Sequence, residues 1–167
     1  MVYETAGVFN SGHQYFCSVW ESVKEGRLEE LDGWSRTVGR LMLEHPQYQY
    51  FWETPSSEAN LEKVAKREVT NPDVHLAIQT VILDQIENGD PPEATKAYKA
   101  LLKAGIDMRE ARHTLGRAYA EVVWRNVHLL NDMQLSRMNL YIYELRRIIK
   151  NPKNVFKEHI RKTRKIS

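Results

Sequence analysis

The chain has 167 residues, enough for one domain, or one domain with an appendage, to bury a core without disulfides or a structural metal. Hydrophobic residues make up 42% and charged residues 28%, which is typical of a soluble globular protein and not of a wholly disordered one. The 24 basic and 22 acidic residues give a formal net charge of +2, which excludes a uniformly acidic or basic binding protein. No stretch approaches the roughly 18 uninterrupted apolar residues of a membrane span, so no transmembrane segment is predicted.

The N-terminal residues and the cysteine content indicate a cytoplasmic protein. Glu4 lies near the start and no basic segment precedes an apolar run, so no secretory signal is predicted. Cys17 is the only cysteine, which excludes an intramolecular disulfide and a thiolate zinc cluster within one chain. His13, four residues earlier, is the one neighbour in sequence that could activate Cys17 as a nucleophile. The simpler interpretation is that Cys17 is a small buried hydrophobic residue.

The first part of the chain contains frequent helix signals and few strand signals. Ser11 is the predicted N-cap of a helix over 11–24. Asp32 can cap a second helix, which a following proline ends. A short aromatic segment occupies residues 48–52, and a serine after the next loop predicts a further helix over 57–68.

The middle of the chain contains three better-marked helices. Asn71 and Pro72 place a capping side chain and a proline at the start of the first, which carries apolar residues at helical spacing. Residues 90–93 open the next helix in the same way. Asp107 caps the longest helix, over 107–130. Its apolar side chains lie on more than one face, so we predict that it is a central helix contacted from several directions.

The C-terminal part of the chain differs from the rest in charge. Residues 1–131 contain 14 basic and 19 acidic side chains, a net charge of −5, whereas residues 132–167 contain 10 basic and 3 acidic ones, a net charge of +7. Residues 132–150 form a predicted amphipathic helix, after which a proline precedes a short basic segment. We therefore predict an all-α fold, with a single helical-bundle domain of about six or seven helices over 1–131 and a basic C-terminal helical extension over 132–167.

Candidate metal-binding residues lie on or near three of the predicted helices. Glu110 and His113 are three positions apart, and a Glu-x-x-His pair on one helix is a known way to present metal ligands inside a bundle. With His75 on the helix that Asn71 begins, they form a candidate site for metal binding or acid–base chemistry. A structural explanation is the more common one for such residues. Glu110 completes a capping box after Asp107, and His45 interacts favourably with a helix C-terminus.

The C-terminal extension offers a second candidate site. Nine lysines and arginines lie between Arg146 and Lys165, and Glu158 is the only acid after Arg146. They could follow a phosphate backbone, lie on an anionic membrane, dock on the acidic body of the same or another subunit, or be solvated without a partner. The candidates for anion or nucleic-acid contacts are Arg146, Arg147, Lys150, Lys157, Arg161, Arg164 and Lys165.

Five sequence elements occur in an order that is similar to a known family. They are Phe9 to Trp20, Leu31-Asp32 with His45-Pro46-Gln47-Tyr48, Asn71-Pro72-Asp73-Val74-His75-Leu76, Gln85 with Pro91-Pro92, and Gly105 to His113. In these elements the chain resembles, over about residues 8–130, the domain-of-unknown-function 1841 family of uncharacterised bacterial proteins. The resemblance implies an all-helical cytoplasmic protein with no established activity. It also implies a polar or divalent-metal site, whose members at matching positions of this chain are His45, His75, Glu110 and His113.

The chain departs from the family pattern where the family has metal-binding or titrating side chains. Ser35 and Gln47 stand in place of glutamates, and Gln49, Gln79 and Arg109 stand in place of histidines. Glutamine is a poor ligand for transition metals, and an arginine brings a fixed positive charge. If the family site binds a metal, we expect this member to bind it weakly or not at all.

The sequence supports three functional hypotheses. It contains no glycine-rich phosphate loop, nucleophile elbow or H-E-x-x-H motif, so the first hypothesis is a non-enzymatic interaction module. Such a module would bind a protein partner or self-associate through residues 132–150. The second hypothesis is a metal-dependent or His-assisted enzyme with a partly eroded His/Glu site. The third is nucleic-acid binding through the basic C-terminal tail.

Overall fold

The computed structural model describes the backbone of residues 3–54, 71–127 and 134–164 and the side chains of residues 12–54, 71–123 and 139–162. These ranges contain helices and no strand, which confirms the predicted all-α class. None of the helices in them is long and apolar enough to cross a membrane. The α-helices are α1 (Tyr3–Lys24), α2 (Gly33–Glu44), α3 (Gln49–Trp52), α4 (Pro72–Asn88), α5 (Pro92–Lys103), α6 (Met108–Val127), α7 (Gln134–Lys150) and α8 (Pro152–Arg164), with 3-10 turns at Leu28–Glu30 and Pro46–Tyr48.

Side-chain caps begin three of these helices where the sequence predicts them. Asp32 accepts a hydrogen bond from the backbone N–H of Ser35 at 2.8 Å, and Asn71 accepts one from that of Asp73 at 2.9 Å. Asp107 caps α6 in the same way at 3.0 Å. Each cap satisfies a donor that the first turn of a helix would otherwise leave unpaired. These three predicted helix starts are confirmed.

The predicted N-terminus of the first helix is wrong. α1 begins at Tyr3 and continues through Ser11, the residue predicted as its N-cap. Residues 3–10 contain no proline and a single glycine, so nothing in this stretch forces the helix to start later. The other end is as predicted. Gly26 follows α1 with a φ of 74°, a left-handed conformation that glycine adopts without strain.

The chain divides into two compact units, residues 1–80 and 81–167, and the division falls within α4. The predicted domain boundary between residues 131 and 132 lies outside the described residues and stays a prediction. The helix predicted over 57–68 lies outside them as well.

In the first unit, α2 and α3 pack against α1. Gly39 on α2 permits the close approach, because a Cβ atom there would lie 2.6 Å from Cδ1 of Leu28 and 2.9 Å from Cγ2 of Val23. The fully buried apolar side chains of α2 and α3 form the core of this unit, and they are Val38, Leu41, Met42, Phe51 and Trp52.

In the second unit, α5, α6, α7 and α8 each contact the other three, so these contacts do not single out α6 as the central helix that the sequence predicts. The buried apolar residues of these helices include Ala97, Leu101, Leu115, Leu145 and Ile148. The described part of the predicted basic extension, α7 and α8, is therefore helical and packed within this unit.

Removing the α4 cap should destabilise the protein. We expect Asn71→Ala to lower the free energy of unfolding by about 1 kcal/mol, because the first-turn N–H groups lose their acceptor. Chemical denaturation followed by circular dichroism measures the change. Asn71→Ser keeps a capping oxygen and serves as the control, and an equal loss of stability in both variants would contradict the role of the cap.

Candidate functional site

His45 lies directly after α2 and is buried, with 2% of its surface exposed. Its Nδ1 donates a hydrogen bond to the backbone carbonyl of Leu41 at 2.7 Å. Because a carbonyl oxygen can only accept, the proton of a neutral His45 is on Nδ1 and the lone pair is on Nε2. The last turn of α2 thus fixes the orientation of the ring and the nitrogen that is able to bind a cation.

His75 lies in the first turn of α4, at a position set by the Asn71 cap. Its Nε2 lies 3.1 Å from Nε2 of His45, and the two rings meet edge to face at a centroid distance of 4.9 Å. Two chemical states fit this separation. Either Nε2–H of His75 donates to His45, or both lone pairs point at one cation. The structure therefore brings together two of the four residues predicted for a polar or metal site.

The ring of Tyr48 contacts both histidines. It stacks on His45 at a centroid distance of 5.9 Å and an interplanar angle of 4°, and it meets His75 edge-on at 5.7 Å. Tyr48 ends the 3-10 turn that follows α2, which brings its ring back towards His45. The sequence indicates an aromatic segment here, but it does not predict Tyr48 as a site residue.

The sequence of the chain matches a known protein family over most of its length. The sequence profile described as Domain of unknown function (DUF1841) matches residues 10–147, which is more than half of the chain. The chain belongs to this family. The match confirms the predicted resemblance and extends past residue 130 into α7. Searches of characterised proteins and of solved structures found no match.

One departure from the pattern that the resemblance implies lies one turn after His75 on α4. Gln79, which stands where the resemblance implies a histidine, is buried and follows His75 by one turn of α4. Ser35 is also buried, and its hydroxyl donates to the Asp32 carboxylate at 3.1 Å, so it forms part of the α2 cap. The other three departures are exposed or half-buried. Gln79 is therefore the substitution that bears most directly on the chemistry of the pair.

The other two residues of the predicted site, Glu110 and His113, lie in the second unit, on α6. Nδ1 of His113 is 3.9 Å from Oε1 of Glu110, so the two side chains are neighbours on the helix, as their spacing predicts. Nη1 of Arg117 lies 3.9 Å from the other carboxylate oxygen. That Glu110 and His113 share a site with His45 and His75 stays a prediction.

A second polar cluster of the first unit joins α1 to the start of α4. The buried His13 donates from Nδ1 to Oδ2 of Asp73 at 2.8 Å, and Nε1 of Trp52 donates to Oδ1 of Asp73 at 3.0 Å. Sγ of Cys17, a half-buried thiol, lies 3.3 Å from Nε2 of His13. The sequence places His13 beside Cys17, but it does not predict Asp73, which is 60 residues away from His13.

His13 is protonated at neutral pH. Burial acts to lower its pKa, but the hydrogen bonds to Asp73 and Cys17 and the negative charge of Asp73 outweigh burial and raise the pKa from 6.5 to about 10. The imidazolium and the Asp73 carboxylate therefore form an ion pair whose side chains are 3% and 13% exposed. This pair is an electrostatic link between two helices of the first unit.

The basic extension pairs with acidic side chains of its own unit. Nη2 of Arg146 lies 2.8 Å from a carboxylate oxygen of Glu93 on α5, and Nζ of Lys162 lies 3.2 Å from Glu121 on α6. These contacts match docking on an acidic surface of the same chain, which is one of the four alternatives that the sequence leaves open. Exposed ion pairs of this kind contribute little stability each.

Arg147 bridges two carboxylates of the extension. Its guanidinium lies 2.7 Å from Glu144 and 2.9 Å from Glu158. Burial acts to raise the pKa of Glu158, but the hydrogen bond and charge of Arg147 and the charge of Lys162 lower it overall. Of the remaining anion-contact candidates, the exposed ones are Lys150, Lys157 and Arg161, whereas the side chains of Arg164 and Lys165 lie outside the described residues.

The His13–Asp73 pair should make the stability of the protein depend on pH. Folding raises the pKa of His13 from 6.5 to about 10, so the stabilisation is fully present below pH 6.5 and is lost as the pH rises through 10. We expect the stability difference between wild type and His13→Gln to shrink across this range, by at most about 1.4 kcal/mol per pH unit. Urea denaturation of both proteins at each pH measures it, and a difference that does not change with pH would contradict the assignment.

Proposed function

We propose that this protein binds a divalent first-row transition-metal ion through the Nε2 atoms of His45 and His75. The observation that carries the proposal is the 3.1 Å separation of these nitrogens, with the other ring nitrogen of His45 bonded to a backbone carbonyl. Metal-binding histidines in proteins are commonly held in this way, because the second hydrogen bond fixes the tautomer and aims the lone pair.

The separation of the two nitrogens suits two ligands of one ion. Zinc–nitrogen bonds are about 2.0–2.1 Å long, so two nitrogens on a tetrahedral zinc ion lie about 3.3 Å apart. The 3.1 Å between His45 and His75 is close to that value. An N–H···N hydrogen bond has a similar length, so the number of metal ions bound is the measurement that separates the two states.

The donor atoms favour a particular class of ion. Imidazole suits zinc, copper, iron and nickel, whereas magnesium and calcium prefer oxygen ligands. Two histidines leave two positions of a tetrahedral ion for water or other ligands. The sequence predicts Glu110 and His113 as further members of the site, and that part of the proposal rests on the sequence alone.

The surroundings of the pair favour binding without a large rearrangement. His45 is buried, its ring is held by the Leu41 carbonyl, and Tyr48 packs along one side of it. A ligand whose rotamer is already fixed loses little conformational entropy when it binds an ion. Low exposure to water also strengthens the electrostatic interaction between the ion and its ligands.

Metal binding should depend on both histidines. The departures from the family pattern predict weak binding or none, whereas the 3.1 Å approach of the two nitrogens supports binding. We therefore expect protein purified without a metal-affinity tag, and then loaded with zinc, to retain about one equivalent in elemental analysis. His45→Gln and His75→Gln should each weaken zinc affinity at least about tenfold in calorimetric titrations, because each removes a nitrogen ligand. His113→Gln, titrated in the same way, tests the member that is predicted from sequence alone.

The matched control for these titrations is His159→Gln, which removes another buried histidine from outside the proposed site. Circular dichroism spectra establish that each variant is folded. Wild-type protein that retains zinc, iron and manganese far below one equivalent would contradict the proposal. So would a His45→Gln variant that binds zinc as tightly as wild type.

Replacing Gln79 should strengthen metal binding. The resemblance to the family implies a histidine at this position, and Gln79 is buried one turn after His75 on α4. Because imidazole is a much better ligand than a carboxamide, we expect Gln79→His to raise zinc affinity at least about tenfold. Gln79→Leu, which has no donor atom, is the control. A folded Gln79→His variant with wild-type zinc affinity would show that position 79 does not face the ion.

The other functional hypotheses stay predictions. Exposed Leu140 and Tyr143 on α7 support an interaction module that binds a protein partner or self-associates through residues 132–150. A metal-dependent enzyme would require the bound ion to polarise a substrate or to activate water as well. We also propose the bacterial origin and the cytoplasmic location that the resemblance to the family implies.

A further inference from the structure

A groove lies where α7 ends and α8 begins in the second unit. Its volume is about 470 Å³, which is within the range of ligand sites in proteins. Three of the side chains that line it are cationic and one is a carboxylate, so the groove is positively charged overall. The residues that matter for its chemistry are Tyr143, Arg146, Arg147, Lys150, Asn154 and Glu158.

The one acidic side chain that lines this groove is neutralised by an arginine that also lines it. Glu158 forms an ion pair with Arg147 at 2.9 Å, so neither side chain adds much net charge at the surface. Arg146 pairs with Glu93 at 2.8 Å, but its side chain is 68% exposed, so an external anion can reach the guanidinium as well. Lys150 is exposed, and no carboxylate among the described residues forms an ion pair with it. Arg146 and Lys150 are therefore the cations that can bind an external anion.

An exposed aromatic ring lies beside these two cations. Tyr143 is 60% exposed, although its ring is large and apolar. It precedes Arg146 by three positions and Lys150 by seven on α7, so the three side chains share one face of the helix. The groove thus combines an open π surface with two positive charges.

We propose that this groove binds single-stranded nucleic acid, with a base stacked on Tyr143 and neighbouring phosphates on Arg146 and Lys150. Aromatic rings next to a cationic groove are the means by which proteins bind single strands without reading their sequence. A duplex keeps its base faces stacked inside, so it could use the cations but not the ring. The inference is independent of the proposed metal site.

The exposed face of α8 favours this ligand over an anionic membrane. Lys153, Lys157 and Arg161 recur every four residues on α8 and are exposed, whereas Val155 is buried. A helix that lies in a membrane interface presents large apolar residues outward between its basic ones. The exposed face of α8 offers positive charge without such an apolar anchor, which suits a phosphate backbone.

The test is fluorescence anisotropy with a labelled oligothymidylate of about 12 nucleotides, long enough to span one groove. We expect Tyr143→Ala to weaken binding at least about fivefold and Tyr143→Phe to retain it, because phenylalanine keeps the stacking surface. Arg146→Gln and Lys150→Ala should each lower the slope of log affinity against log salt concentration by about 0.7. Lys99→Ala, which removes an exposed lysine of α5, is the charge-matched control and should leave that slope unchanged.

Four competing results would overturn the proposal, provided that circular dichroism establishes that the variants are folded. They are equal binding of a duplex of the same length, unchanged affinity of Tyr143→Ala, tighter binding of phosphatidylglycerol vesicles than of the oligonucleotide, and binding of pyrophosphate without binding of the oligonucleotide. The titrations contain a chelator, so the outcome does not depend on any bound metal.

Discussion

The carboxylate of Asp73 holds the first unit together at the point where the histidine pair forms. One oxygen accepts from the protonated His13 on α1, and the other accepts from the indole of Trp52 at the end of α3. Asp73 lies two residues before His75 in the first turn of α4, so the bonds that fix Asp73 also fix the rotation of α4 about its axis. The 3.1 Å approach of His75 to His45 therefore depends on an ion pair that includes neither of them.

The starts of α2, α4 and α6 could be predicted from the sequence because a cap is a local interaction. The side chains of Asp32, Asn71 and Asp107 reach N–H groups two or three residues away, a distance that sequence spacing determines. The start of α1 could not be predicted in this way, since a helix continues past a capping residue when the preceding residues also favour helix. Ser11 is of a residue type that is favoured at the N-cap, but it lies inside α1.

Contacts between helices could not be predicted from the sequence. The sequence indicates His45 and His75 as candidate site residues, but their contact spans 30 positions and depends on how α4 lies against the end of α2. The contacts of Asp73 with His13 and Trp52 could not be predicted, because an acid in the first turn of a helix already has a local explanation. That explanation is its favourable interaction with the helix dipole. The same holds for the basic extension, where composition indicates a binding surface but not that Arg146 pairs with Glu93 on α5.

The buried Gln79 has a consequence for how relatives of this protein differ. Codons for glutamine and histidine differ only in the third base, so one nucleotide substitution exchanges the two residues. On the proposed function, that single change would add or remove an imidazole beside His75 while the helix and its packing stay the same. Close relatives with the same fold would therefore range from weak to tight metal binders. The residue at position 79, read from the gene sequence, would predict which relatives bind metal tightly.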